Sequence, residues 1–155
     1  MPEGRADPGS RLMLAARRML DRGLSPSIIV ADEHFPRRLQ RSRKRGVPVP
    51  AGARYVGRPT EFANPFEGRG FKHVRAVRLY DRWIDGKLGD MTIEALGFCP
   101  AEIEALHRLL DRVHRRLPSL SGLDLQCWCP VTSRWCHADT LLRRANPQNI
   151  LENAR

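Results

Sequence analysis

No apolar run in the sequence approaches the ~18–20 residues that a membrane-spanning helix requires. The opening MPEGRADPGS also lacks the charged-then-apolar layout of a secretory signal, so the expectation is a cytoplasmic protein without membrane contact. Cysteine is scarce: four in the whole chain, three of them within ten residues and beside a histidine. In a reducing compartment such crowding speaks against a disulfide framework and for metal binding or thiol chemistry. Acidic residues are few, 17 against 27 Lys and Arg, which leaves a formal net charge of +10. A surface of that sign attracts phosphate and nucleic acid. A solvated basic stretch, or a general preference for arginine over lysine, explains the same count.

What is present is enough for one core. With 155 residues, 41% hydrophobic and 28% charged, the chain falls in the range of a single globular domain. The expected class is α/β (or α+β): a small sheet flanked by helices, with an N-terminal tail and helical extension over 1–36, a core over 37–146 and a C-terminal tail over 147–155. Within the extension, apolar spacing predicts a helix over 11–22, capped by Ser10 and stopped by Gly23, and Ile28 to Val30 reads as a strand. The stretch RRLQRSRKR over 37–45 is polar and basic, GVPVPAG is a stiff connector, and 54–57 is a short strand. Residues 58–70, punctuated by Pro59, Pro65, Gly68 and Gly70, read as a loop of functional length. Apolar residues at Val74, Val77, Tyr80, Trp83 and Ile84 predict a helix over 71–85, and Ile103, Leu106, Leu109, Leu110 and Val113 another over 100–116. LDLQC at 123–127 alternates as a strand does, and 139–144 looks helical.

The segment LQCWCPVTSRWCHADTLL gathers Cys127, Cys129, Cys136 and His137. Three thiolates and one imidazole are a donor set that tetrahedral zinc accepts, and their closeness in sequence keeps the loop-closure cost small. Residues two apart on a strand share a face, so Cys127 and Cys129 reach one metal easily. The neighbours Cys136 and His137 do so only if the backbone turns between them. A second reading makes Cys136, near a helix start and beside His137, a nucleophile with a lowered pKa. A third buries three reduced cysteines against Trp128 and Trp135, whose commoner role is core packing. Asp139 is expected to cap the helix or orient His137, and Cys99 stands apart without a role.

The order of these motifs, RRLQRSRKRGVPVPAGARYVGRP, then FANPF at 62–66, the helix with Tyr80 and Trp83, and finally LQCWCP with CHADTLL, resembles a family of bacteria and their phages known as domain of unknown function 4326. Ala63 stands where the family's pattern usually has glycine. The resemblance implies that the N-terminal helix lies outside the shared domain. It also implies that Arg58, Asn64, Pro65 and Phe66 share one signature with the cysteines, so that loop and cluster meet at one site. It implies no reaction.

Three functions follow. In the first, a possible zinc site sits beside a bound phosphate-bearing ligand, nucleotide or nucleic acid, contacted by Arg58, Arg41, Arg43 and Lys44, with Asn64 reading a base or ribose edge. In the second, the domain is an enzyme acting on a nucleotide or nucleoside through Cys136 and His137. In the third it is a nucleic-acid interaction module whose cluster is structural. The sequence sets no oligomeric state.

Overall fold

The computed structural model describes residues 34–147. The helix expected over 11–22 and the strand around Ile28 lie outside the described residues. Three short strands form the sheet: β1 (Arg38–Gln40), β2 (Ala53–Tyr55) and β3 (Asp124–Cys127). Their order is β1-β3-β2, and both pairings are parallel. A parallel partner cannot be reached by a tight turn, so β2 returns to β3 through three helices. These are α1 (His73–Ile84), α2 (Asp90–Ala95) and α3 (Pro100–Arg116), followed by a 3-10 turn over Leu117–Leu120. The last helix, α4 (His137–Ala145), follows β3 and contacts β3 and β1. The domain is therefore α+β, with a three-stranded sheet and four helices among the described residues.

The local reasons are ordinary. α1 buries Ala76, Val77, Leu79, Tyr80, Trp83 and Ile84, and ends at Asp85 before Gly86, whose φ of +67° favours glycine. Val74, expected on that apolar face, is exposed. α3 starts at Pro100, as the missing N–H of proline allows. In its first turn Glu102 accepts the Cys99 amide at 2.8 Å and a pair of bonds from Arg69, and these contacts, Arg69 first, hold the Glu102 carboxyl down at about 2. Cys99 thus has a place after all, at the N-terminus of α3. Between the helices and β3, Phe66 meets Trp83 and Phe98 edge-on at 6.2 and 5.7 Å, and Tyr80 donates to the Phe62 carbonyl at 2.9 Å.

The pleat of β3 sorts the site. Cys127 and Leu125 join the hydrophobic core, on the side to which Arg38 of β1, the register partner of Leu125, also belongs. Gln126 and its partner Tyr55 take the other side. Two tryptophans depart from expectation: Trp128 and Trp135, read as core, are 46% and 37% exposed. Both lie in the segment between β3 and α4, Trp128 directly after Cys127 and Trp135 directly before the N-cap residue Cys136. Among the described residues no helix is long and apolar enough to cross a membrane.

Candidate metal centre

All three strands run parallel, so their C-terminal ends meet along one edge with β3 in the middle, the place where open parallel sheets form ligand crevices. Cys127 ends β3 there. Cys136, with extended backbone (φ −154°, ψ 136°), caps α4, and His137 is its first helical residue. The change from extended to helical backbone is the turn that lets two neighbours face one point. As a result the ligand atoms of Cys127, Cys136 and His137 all lie within 4.8 Å of one another, and all three residues are buried. Cys129 joins through Cys127, sulfur to sulfur at 3.9 Å. Tetrahedral zinc with bonds of about 2.0–2.3 Å separates its ligands by about 3.6–3.8 Å.

The imidazole is aimed by a partner that sequence reasoning missed. His137 Nε2 lies 3.0 Å from the Val56 carbonyl just beyond β2, which can only accept, so Nε2 carries the proton. Nδ1 then turns its lone pair to Cys127 Sγ at 3.9 Å. A ring nitrogen tied to a backbone carbonyl, with the other left free, is the usual support of a metal-ligating histidine. Asp139 does neither thing expected of it: it forms an ion pair with Arg38 at 3.1 Å.

Arg38 holds the loop that joins the two halves of the cluster. Its side chain is 8% exposed. Its guanidinium donates to the carbonyls of Pro130 at 2.9 Å, Val131 at 3.0 Å and Ser133 at 2.6 Å while pairing with Asp139. One planar fork thereby fixes the turn between Cys129 and Cys136. On the open side, His73 of α1 lies 3.9 Å from Cys129 Sγ, its Nε2 also 2.9 Å from the Trp135 carbonyl. Nothing in the sequence pattern links His73, 56 residues away, to the cysteines.

Cys127 is held down at about 3 by the S–H groups of Cys129 and Cys136, against its burial, with help from the amides of Cys129 and Trp128. Cys129, donating to both sulfurs and partly buried, is pushed up. His137 is pulled down by burial, but its contact with Cys136 and the Val56 carbonyl outweigh this and raise it. Burial raises Asp139 against the pull of Arg38. Cys127, Cys136 and His137, soft donors gathered within 4.8 Å of one another, could hold a metal ion.

The other residues singled out in the sequence are placed differently. Asn64 is buried, its amide donating to the Ala76 carbonyl at 3.0 Å and its oxygen accepting the Phe66 amide at 2.9 Å. Phe66 is fully buried and Pro65 half-buried. Arg58 is exposed and donates to the Glu67 carbonyl, closing the loop on itself. No described non-glycine residue has a positive φ, so Ala63 fits where the resemblance suggests glycine. Arg41 bonds Gln126 Oε1 at 3.0 Å, and Arg43 and Lys44 are exposed.

A recess of about 280 Å³ opens beside the cluster, between α1 and α4, with Cys136 and Trp135 in its wall. Arg78, Arg82, Arg134 and Arg143 line it, with Asp81 and Asp139. Asp81 is taken by Arg143 at 2.8 Å and Asp139 by Arg38. Arg78 lies over the Trp135 ring at 4.8 Å, and Arg82 reaches the Lys87 carbonyl at 3.4 Å. Among the described residues Arg78, Arg82 and Arg134 have no carboxylate partner.

A family model described as Domain of unknown function (DUF4326) matches residues 39–147. Comparison with curated proteins and with solved structures finds no match.

Proposed function

Because the chain belongs to the DUF4326 family, which brings no activity with it, we propose from its own residues that it is a zinc-held domain binding a small phosphate-bearing ligand of the nucleotide class beside the metal. Cys127, Cys129, Cys136 and His137 would hold the zinc, and a closed set of four protein donors makes that metal structural. Its work is to fix the loop from Trp128 to Cys136 and the start of α4. The observation that carries the reading is the gathering of four arginines around the recess walled by Cys136, three of them without a carboxylate partner among the described residues. Guanidinium forks match phosphate oxygens in pairs, and a low-dielectric wall strengthens each bond.

The test is calorimetric titration of the full chain with pyrophosphate and a nucleoside 5′-monophosphate. Replacing Arg78 and Arg134 together by alanine is expected to weaken binding at least about tenfold, since one charge-assisted hydrogen bond contributes ~1.5–3 kcal/mol. Equal affinity in that double variant contradicts the reading.

A second reading is favoured by one observation, that Cys136 itself lines the recess. In it the thiol stays free of metal, and Cys136 with His137 acts on the bound nucleotide or nucleoside. Rapid alkylation of Cys136 in the protein as purified supports this alternative, and protection of Cys136 by bound zinc opposes it.

A further inference from the structure

The side of the sheet opposite Cys127 carries an arrangement that neither the cluster nor the recess uses. By register Tyr55 pairs with Gln126, and Arg41, whose amide bonds the Cys127 carbonyl at 2.7 Å, continues the pairing beside Trp128. Tyr55 and Trp128 meet edge-on, centroids 6.5 Å apart at 81°. The Arg41 guanidinium lies 4.8 Å from the Tyr55 ring and 5.6 Å from the Trp128 ring while it bonds Gln126. The group is built in place. Tyr55 donates its hydroxyl to the Arg58 carbonyl at 2.9 Å, and it lies so close over Gly57 that a Cβ there would stand 2.4 Å from the hydroxyl oxygen. Trp128 nevertheless remains 46% exposed. Held by a tyrosine and an arginine, the indole still keeps nearly half its surface open.

Charge supplies the second observation. Residues 34–60 contain eight Arg or Lys and no Asp or Glu. Arg43, Lys44 and Arg45, which follow Arg41 after Ser42, are all exposed. We infer that this face is a stacking platform for single-stranded nucleic acid, bases resting on Trp128 and Tyr55 and the backbone phosphates drawn along Arg43, Lys44, Arg45 and Arg58. A duplex hides the faces of its bases, so it offers this surface only phosphates. Each stacked base contributes ~1–3 kcal/mol, with little dependence on its identity. The inference goes beyond the recess and does not depend on it.

Fluorescence anisotropy of the full chain with labelled oligo-dT and oligo-U, and with a duplex of the same length, over a series of salt concentrations tests this. Single strands are expected to bind tighter than the duplex, and the two oligomers separate DNA from RNA as the source. Trp128→Ala should weaken single-strand binding about tenfold, as the loss of one stacked base implies. Trp128→Phe should restore most of it, and pyrophosphate affinity in the recess should not move. Replacing Arg43, Lys44 and Arg45 by alanine should flatten the salt dependence. Binding no weaker for the duplex, no binding at low salt, or unchanged affinity in Trp128→Ala overturns the inference. Should Trp128→Ala lose zinc or fold poorly, Tyr55→Leu on the neighbouring strand decides in the same way, unchanged affinity there overturning it.

Discussion

Arg38→Ala is expected to cost about 2–4 kcal/mol of stability and to weaken zinc binding about 10–100-fold, although Arg38 is no metal ligand. The guanidinium is nearly buried and serves three carbonyls and one carboxylate at once. Alanine leaves the Pro130, Val131 and Ser133 carbonyls to water and strands Asp139 beside the cluster. The loop between Cys129 and Cys136 then loses the contact that fixes its path. Arg38→Lys should rescue little, because an ammonium is a point charge and cannot span four acceptors in a plane. Denaturant unfolding, with zinc competition against a chromophoric chelator, measures both effects. A stability change below about 0.5 kcal/mol, the range of an ordinary surface substitution, contradicts this role.

Asn64→Ala should also be costly, about 1–3 kcal/mol, because it leaves the buried Phe66 amide without its partner and removes the second bond on the Ala76 carbonyl. The Phe66 amide depends on the Asn64 side chain, which also adds a bond to the Ala76 carbonyl within the helix. Through them the residue ties the loop before α1 to the helix itself and seats Phe66 against Trp83 and Phe98. The affinity of the folded variant for pyrophosphate should stay within about twofold of the parent, since remote independent sites couple by only ~0.3–0.5 kcal/mol. A large loss of affinity at unchanged stability would instead return Asn64 to the ligand.

These two residues mark where the sequence was legible and where it was not. α1, α3 and β3 could be read because their apolar residues repeat with the period of the element, and α3 is bounded as expected, Pro100 to Arg116. β1 could not. Its three residues, Arg-Leu-Gln, look like part of a basic tract, and they form a strand because β3 offers them a parallel edge. The short helix α2 buries only Ile93, too little to leave a period. The cluster itself was legible from residue type and spacing. Its supports were not: Arg38 lies 92 residues from the Pro130 carbonyl it holds, and Val56 lies 81 from His137. A backbone carbonyl carries no sequence signature at all. Trp128 and Trp135 were read as core by the usual habit of large aromatics, whereas both lie in the segment between β3 and α4 and stay partly exposed.

The zinc site proposed at Cys127, Cys129, Cys136 and His137 requires one metal ion per chain. Metal analysis of the purified full chain, repeated on Cys127→Ser and His137→Gln, tests it most directly. About one zinc per native chain, with each variant retaining well under half of it, is the expected result for a four-donor tetrahedral site. A native chain that folds with full stability while holding neither zinc nor iron, and that gains none when zinc is added, would contradict it.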